Sequence, residues 1–171
     1  FAGGQFRLSE ISSAVALAQV RKVDAIKAHC RSVQARVLAK IEGLAGLNLR
    51  RIPDSDGDFG FEIYLMFGNL DHVAPFHAKL DALNVNCGAR TGTYPQYNRD
   101  YVKTGLLHHP AVSPFKDFKE WPDEGYRAED FPRTEDLTKR YVALPIGWLY
   151  TAEDADYIGD SIVAVHAEVC R

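Results

Sequence analysis

A short glycine-led loop near the start of the sequence carries side chains that suit a phosphate or a carboxylate. Gly3 and Gly4 precede Gln5-Phe6-Arg7, and a helix is predicted to begin directly behind them. Glycine lets the backbone approach a ligand closely, and a helix N-terminus adds partial positive charge. Gln5 and Arg7 supply amide and guanidinium donors. The same residues are also typical of a plain loop that leads into a helix, so spacing alone leaves both interpretations open.

Two further loop clusters contain possible ligand-binding side chains. Residues 90–94 read Arg-Thr-Gly-Thr-Tyr, with Tyr97 and Asn98 close behind, and could line a pocket for an anion. Residues 108–115, "HHPAVSPF", form the third cluster together with the later Pro132-Arg133-Thr134. Long loops inside a compact domain often carry function. A strand-to-helix turn remains the alternative for the second cluster, and a packed proline-rich loop for the third.

Common catalytic and metal-binding signatures are absent from the sequence. It contains no Walker loop, no GxGxxG, no HExxH and no GxSxG. His108 and His109 are adjacent, and neighbouring residues of an extended chain point in opposite directions, so a shared metal site is not expected. Cys87 could act as a nucleophile, but spacing identifies no base partner for it. We therefore predict no metal site.

Composition and charge narrow the class of protein. The 171 residues are 46% hydrophobic and 25% charged, with a formal net charge of −3. This fits one domain with its own core and offers no basic excess for binding nucleic acid. The three cysteines are odd in number and form no CxxC pair, which favours a reducing, cytoplasmic setting. Because no signal peptide and no apolar stretch of ~20 residues is visible, we expect no membrane partner.

An uncharged helix is predicted behind the glycine loop. Ser9 can cap this helix, and Glu10 places an acid at its positive end. No charged residue occurs from Ile11 to Val20, and small or apolar side chains cover most of the helix circumference. Such a helix is buried on most sides. In a chain of this size we therefore expect it to pack against another domain or another subunit.

A long amphipathic helix is predicted next, from Arg21 to Gly43 or Gly46. Polar and charged residues fill one face, and a stripe of apolar residues fills the other at spacings of three and four. The stripe is typical of a helix that faces a core, with a coiled coil as the alternative. Its members are Val23, Ile26, Cys30, Val33, Val37, Ile41 and Leu44.

Strands and helices alternate through the rest of the chain. Helices are predicted to begin behind Asp71, near Thr134 and behind Thr151. Residues 53–58 are typical of a turn, and residues 105–132 of a long irregular loop. Runs of branched and aromatic residues predict strands at Leu47–Ile52, Phe59–Phe67, Asn84–Arg90 and Tyr141–Ile146.

The two ends of the sequence resemble the DegT/StrS-type sugar aminotransferases. The opening "GGQFRLSEISSAVALAQVRKVD" is similar to their segment G-x-N-x-R-M-S/T-E-x-x-A-A-x-x-L-A-Q-L-x-K-L-D, with Leu8 in place of the usual Met. The closing "RTEDLTKRYVALPIGWLYTAEDADYIGDSI" is similar to R-x-L-x-L-P-x-x-x-x-x-T-x-E-D-x-x-x-V. Positions that match in the opening segment are Arg7, Ser9, Glu10, Ala14, Leu17, Ala18, Gln19, Lys22 and Asp24.

The resemblance implies an α/β fold, namely the C-terminal part of a fold type I PLP-dependent transferase. It covers the whole chain but only the second half of the family's enzyme. Residues 1–20 would be the end of the PLP-binding large domain, with its interface loop and helix. Residues 21–171 would be the connecting helix and a small C-terminal α/β domain with a few-stranded sheet. The chain begins at Phe1 rather than Met, and we expect it to be a fragment.

The resemblance also implies a pyridoxal 5'-phosphate site built by two subunits. Family enzymes are homodimers in which the loop before the apolar helix reaches into the neighbouring subunit's active site. There the motif's asparagine contacts the cofactor phosphate, and Gln5 stands at its position with the same amide on a longer side chain. The Schiff-base lysine is expected in the missing N-terminal half, so neither Lys22 nor Lys103 takes that role. The chain alone is expected to be inactive.

The function implied is transfer of an amino group from glutamate or glutamine to a keto-sugar or cyclic ketone. The segments "HHPAVSPF" and "FPRTEDL" resemble the family branch that acts on inosose-like and octulosonate-like ketones. From loop position and chemistry we propose Arg90, Tyr94 and His108 as substrate contacts, with Arg90 pairing with a carboxylate or phosphate. Two alternatives stay open. One is a sugar dehydratase of the same fold and cofactor, with histidine replacing the upstream lysine; the other is a non-catalytic binding or dimerisation module.

Overall fold

The computed structural model describes residues 8–89, 96–104 and 126–170. Within them, the helices and strands follow the predicted order, with one addition: the short helix at Asp100–Thr104 was not predicted. The helices are α1 (Glu10–Val20), α2 (Val23–Ile41), α3 (Val73–Ala82), α4 (Asp100–Thr104), α5 (Pro132–Lys139) and α6 (Ala152–Val169). The strands are β1 (Leu47–Leu49), β2 (Glu62–Phe67), β3 (Gly88–Ala89) and β4 (Tyr141–Pro145).

The four strands form one antiparallel sheet in the order β1-β2-β4-β3. Ile63 of β2 lies opposite Leu144 of β4, and Leu65 lies opposite Val142. All four side chains are buried. Because alternate residues of a strand point to the same face, these pairs define the face of the sheet that meets the core.

Helices α2, α3 and α6 cover that face. The predicted stripe of α2 is confirmed at its centre, where Cys30, Val33, Val37 and Ile41 are buried. Helix α3 contributes three buried residues, and α6 contributes Ala155, Ile158, Ile162 and Val165. One continuous hydrophobic core therefore joins three helices to the inner face of the sheet.

Two helix starts show which capping signals were interpreted correctly. The Thr151 side chain accepts from the Asp154 backbone N–H, and Asp154 accepts from the Thr151 N–H, which completes the predicted cap of α6. The prediction of Asp71 as the cap of α3 is wrong. The Asn69 side chain instead accepts from the Asp71 backbone N–H, and a single 3-10 turn from Leu70 to His72 leads into α3.

Strand β2 begins later than its aromatic composition predicted. The expected start was Phe59, whereas the strand begins at Glu62. Gly60 has a φ of +80°, a left-handed conformation that interrupts an extended chain. A Cβ atom at Gly60 would also lie 3.0 Å from the backbone nitrogen of Arg31. Because the loop passes so close to α2, position 60 requires a glycine, and the strand begins only after it.

Ion pairs link the exposed sides of α2 and α6. The Arg36 guanidinium donates to both Asp156 carboxylate oxygens, at 2.8 and 2.5 Å. Lys40 lies 3.5 Å from Asp156 and 2.6 Å from Asp160. These charges form a small network rather than isolated pairs, and they lie over the contact between the two longest helices of the described chain.

Replacing Asp156 by asparagine is expected to weaken the acid dependence of stability. The Arg36 guanidinium lowers the pKa of the Asp156 carboxyl from 3.8 to about 2. Because the pKa of Asp156 is lower in the folded state than in the unfolded state, its ion pair stabilises the fold. That stabilisation is complete above about pH 4 and is lost as the pH falls toward about 2. Between those two pH values, denaturant unfolding should show a larger fall in the free energy of unfolding for the wild type than for Asp156→Asn. Equal losses would contradict the prediction, and Asp160→Asn, at the more exposed end of the network, is the control.

Helix α1 differs from the other long helices because it buries none of its residues within the described chain. Ser9 caps it as predicted, with its hydroxyl oxygen accepting from the Ser12 backbone N–H at 3.1 Å. Ile11, Val15, Leu17 and Val20 are nonetheless exposed. A row of exposed apolar side chains of this size normally marks a surface that another domain or chain covers. None of the described helices is both long and apolar enough to cross a membrane.

Candidate functional site

The four residues proposed from the sequence all lie outside the described part of the chain. Gln5 precedes Leu8, where the description begins, and Arg90 and Tyr94 fall between residues 89 and 96. His108 falls between residues 104 and 126. Their roles therefore remain predictions. The structure describes the residues that border them, and those residues include one polar and aromatic cluster.

Tyr97 is the centre of this cluster. It is only 6% exposed, and its ring stacks on Phe131 with the centroids 4.7 Å apart and the planes at 11°. Tyr126 contacts the same Phe131 ring edge-on at 5.6 Å. The Tyr97 hydroxyl donates to the Glu135 carboxylate. We refer to Tyr97, Tyr126, Phe131 and Glu135 as the Tyr97 cluster.

Local sequence explains why these groups meet. Tyr97 lies in a 3-10 turn, Gln96–Asn98. Pro132 occupies the first turn of α5, where its fixed φ suits a helix start. Phe131 is the residue before it, and the Glu135 backbone N–H donates to the Phe131 carbonyl at 3.0 Å. Because residues four apart lie on one side of a helical turn, the Phe131 ring and the Glu135 carboxylate can both meet Tyr97.

The pKa shifts in the Tyr97 cluster indicate that Tyr97 and Glu135 hold two segments of the chain together and do not transfer a proton. Burial, followed by the bond to Glu135, raises the pKa of Tyr97 to about 12. The Tyr97 hydroxyl and Lys139, whose ammonium lies 3.5 Å from the carboxylate, lower the pKa of Glu135. Near neutral pH the phenol therefore stays protonated and the carboxylate stays charged. A fixed pair of this kind holds two segments together and does not act as an acid or a base.

The structure bears on the role of Tyr97. The sequence left open whether Tyr97, near the loop of residues 90–94, helps line a pocket for an anion or belongs to a strand-to-helix turn; its hydroxyl is bonded to an ionised carboxylate. An anion beside Glu135 would be repelled. Phe131 and Glu135 were missed because they stand 34 and 38 positions after Tyr97, and no periodicity connects residues so far apart. The available signal was the pattern Phe-Pro-x-x-Glu, which places a ring and an acid on one side of a predicted helix start.

Two surface cavities are also present among the described residues. The first has a volume of about 380 Å³ and lies between α2 and the start of α6. Its polar groups are already engaged, since His29 contacts the Tyr150 carbonyl at 2.8 Å and Arg36 is paired with Asp156. The second, of about 310 Å³, lies between α3 and α6 and is spanned by the Lys79–Glu168 ion pair. Neither cavity offers a free cluster of groups for chemistry.

Metal binding and thiol chemistry find no support in the described ranges. Residues 8–89, 96–104 and 126–170 contain no group of three or more His, Cys, Asp or Glu side chains placed to hold a metal. Burial, with a contribution from Asp81, raises the pKa of the Cys87 thiol to about 11. Because the thiolate is the nucleophile, a thiol that stays protonated near neutral pH is a poor one.

Comparison with known proteins identifies the family and the fold. Residues 1–163 match the family model of the DegT/DnrJ/EryC1/StrS aminotransferases. The structure is similar to that of Spr1654 from Streptococcus pneumoniae, assigned as a sugar aminotransferase, in its PMP form. The TM-score is 0.64 at 11% sequence identity. The alignment covers 95% of this chain and 36% of that chain, so the present chain spans about a third of that protein. The predicted fold class is confirmed: a long connecting helix followed by the small α/β domain of a fold type I transferase.

Proposed function

The chain belongs to the DegT/DnrJ/EryC1/StrS aminotransferase family, and from this premise we propose that it is the C-terminal half of a PLP-dependent aminotransferase. The enzyme would move an amino group from glutamate or glutamine to a keto-sugar or cyclic ketone. The observation that carries the proposal is the family match over residues 1–163. The similarity to a solved sugar aminotransferase along 95% of this chain supports the same assignment at the level of the fold.

We assign the two parts of the chain to two domains of the enzyme. Residues 1–20 would end the PLP-binding large domain, and residues 21–171 would form the connecting helix and the small domain. The exposed apolar side chains of α1, among them Ile11 and Val20, support this division because α1 packs on none of the described core. The Schiff-base lysine would lie in the preceding half, so this chain alone would not catalyse the reaction.

The residues next to α1 fit the phosphate of pyridoxal 5'-phosphate by their chemistry. Gln5 offers an amide N–H and Arg7 a guanidinium, and both are donors that suit a phosphate oxygen. The capped start of α1 follows at Glu10, with the partial positive charge of a helix N-terminus. The bound cofactor supplies the electron sink for amino transfer. In a homodimer, Gln5 would hold that phosphate in the partner subunit's site, and Arg7 would add positive charge nearby.

The small domain would contribute contacts to the substrates. Arg90 follows Ala89 directly, and Ala89 pairs with Val142 in the sheet, so the residue beside Arg90 is fixed to the domain. Its guanidinium would bind a carboxylate or phosphate of the donor or acceptor in a bidentate geometry. Tyr94 and His108 would hydrogen-bond substrate hydroxyl groups. Binding and orientation of the ketone are the work assigned to these three side chains.

Replacing Arg90 by alanine in the intact enzyme is expected to lower kcat/KM by about 10- to 100-fold. This corresponds to the loss of a hydrogen bond to a charged group, about 1.5–3 kcal/mol. The measurement is steady-state transamination with glutamine as donor and an inosose as acceptor. His108→Ala is expected to lower kcat/KM less, because a neutral hydrogen bond contributes about 0.5–1.5 kcal/mol.

The matched control for Arg90 is Arg51→Ala. Arg51 is an exposed arginine in the loop between β1 and β2. The Arg51→Ala variant should keep kcat/KM within about twofold of the wild-type value, since surface substitutions have little effect on the folded protein. Normal kcat/KM in both Arg90→Ala and His108→Ala would overturn their assignment. An intact enzyme that dehydrates a sugar and transfers no amino group would overturn the aminotransferase proposal and favour the dehydratase.

A further inference from the structure

We infer that the loop between β4 and α6, residues 146–151, is part of the surface on which the large domain of the same subunit packs in the intact enzyme. This inference rests on the proposed aminotransferase function, which places that domain before α2 in the chain. The loop carries Trp148 and Leu149, which are 61% and 71% exposed within the described chain. Together with the exposed side chains of α1, these two residues would give the large domain a shared apolar contact surface.

The loop is fixed to the rest of the domain on both sides of its two exposed residues. The Ile146 backbone N–H donates to the Phe61 carbonyl at 2.6 Å, and the Tyr150 N–H donates to the Gly147 carbonyl at 3.2 Å. The His29 ring of α2 contacts the Tyr150 carbonyl at 2.8 Å. A loop that is already ordered loses little conformational entropy when a partner binds, and tryptophan is enriched among the residues that anchor interfaces.

Helices α2 and α6 begin at the same end of the domain. Arg36 pairs with Asp156, and four residues later Lys40 pairs with Asp160. Because the partners follow each other in the same order along both helices, the helices run in the same direction. The loop before α6 therefore lies at the end of the domain where the chain enters α2.

Helix α1 joins the domain at this same end. It ends at Val20, and α2 begins at Val23 after only two intervening residues. His29, which contacts the loop, follows Val23 by six residues, about 9 Å along the helix. Val20 is 65% exposed within the described chain. A body that covers the end of α1 therefore comes within reach of Trp148 and Leu149.

Both segments lack charge, as the core of an interface does. No Asp, Glu, Lys or Arg occurs from Tyr141 to Ala152, and none occurs from Ile11 to Val20. Interface cores are depleted of charged residues, and large exposed apolar side chains that lie together mark surfaces that a partner covers. The chemistry of this end of the domain thus fits an apolar protein surface rather than a charged ligand.

Covalent connection favours the large domain of the same subunit as the partner. In the proposed enzyme that domain ends with α1, and only Arg21 and Lys22 separate α1 from α2. So short a connection holds the domain at a high effective concentration beside the loop, whereas a second subunit has no such link. The solved sugar aminotransferase has enough chain for such a domain, since the present chain matches 36% of it.

The test is the rate of maleimide modification of Leu149→Cys in the intact, PLP-loaded enzyme, followed by mass spectrometry of the labelled peptide. Leu70→Cys is the matched control, because Leu70 follows β2 whereas Phe61, which is bonded to the loop, precedes it. Within the described chain Leu149 is more exposed than Leu70, at 71% against 42%, so the described chain alone would give faster labelling at position 149. We expect the reverse, with Leu149→Cys at least about 10-fold slower, because a covered thiol reacts only when the contact opens. The two rates should become equal in denaturant.

The partner is identified by two further measurements. Leu149→Glu should remain a dimer in sedimentation equilibrium and should lower Tm by about 3 °C or more relative to Leu70→Glu, because its carboxylate would lie in the apolar contact. Protection of Leu149→Cys should also be independent of protein concentration, since the covering domain is in the same chain.

Three results would overturn the inference. Leu149→Cys that reacts as fast as Leu70→Cys would show that the loop faces solvent. A folded monomer of Leu149→Glu, or protection of Leu149→Cys that is lost on dilution, would assign the loop to a contact with a second copy of the chain. A wild-type enzyme that transfers no amino group while Leu149→Cys stays protected would overturn the proposed function alone.

Discussion

Replacing Phe76 by alanine is expected to lower the free energy of unfolding by about 3–5 kcal/mol, the range for deleting a buried aromatic ring. Phe76 is fully buried on α3 and contacts Phe67 of β2 edge-on, with the ring centroids 4.9 Å apart. The substitution removes the ring and leaves a cavity where a helix meets the sheet. Close packing around the site limits how far the neighbours can collapse into it. Denaturant unfolding at equilibrium measures the loss directly.

Phe61→Ala is the matched control for this prediction. Phe61 carries the same side chain, stacks on Phe59 at 4.1 Å and is 47% exposed. Its removal should cost about 1 kcal/mol or less, because little area returns to water and no cavity forms. If both variants lost the same stability, the assignment of the core to the face between α3 and the sheet would be wrong.

The parts of the fold that follow a repeating pattern were predictable from the sequence. The stripe on α2 depends only on spacing, and burial follows that spacing at Cys30, Val33 and Val37. The cap at Thr151 was equally predictable because its two hydrogen bonds join residues three apart. In each case the interaction that fixes the structure is local in the sequence.

Features that depend on distant residues, or on a choice between two neighbouring residues of similar chemistry, were not predictable in the same way. The start of β2 is set by Gly60 as it passes the backbone of Arg31, a contact that no local pattern records. The cap before α3 was misassigned because Asn69 and Asp71 are both good capping residues, and only the turn geometry chooses Asn69. The partnership of Tyr97 with Glu135 likewise depends on how two loops meet in space.

The composition of α1 predicts that it packs against another domain or another subunit, and no residue of α1 is buried within the described chain. Helix formation there is local and follows from the cap at Ser9 and the residues behind it. In the proposed enzyme, the large domain and the second subunit are the two surfaces that would cover the helix. The proposed large domain and second subunit therefore need a direct test.

In the intact enzyme, Ile11→Glu is expected to destabilise the folded dimer by about 4 kcal/mol or more. Ile11 is 80% exposed on α1 within the described chain, and the proposed assembly buries this surface. Burial of an isoleucine contributes about 1.5–3 kcal/mol, all of which the substitution would lose. The new carboxylate would also lack a partner in an apolar contact, which adds a further few kcal/mol. Sedimentation equilibrium and thermal unfolding, compared at equal protein concentration, measure dissociation and stability separately.

Ile52→Glu separates this effect from that of a new surface charge. Ile52 is a partly exposed isoleucine in the loop after β1, 37% accessible and distant in sequence from α1. The Ile52→Glu variant should leave the dimer intact, because the new carboxylate stays in water. A dimer with Ile11→Glu that matched the Ile52→Glu dimer in mass and Tm would show that α1 faces solvent in the intact enzyme. The assignment of residues 1–20 to the buried edge of the large domain would then fail. If Ile11→Glu instead gives a folded monomer, α1 lies mainly between subunits; if it gives an unfolded chain, α1 lies mainly within the large domain of its own subunit.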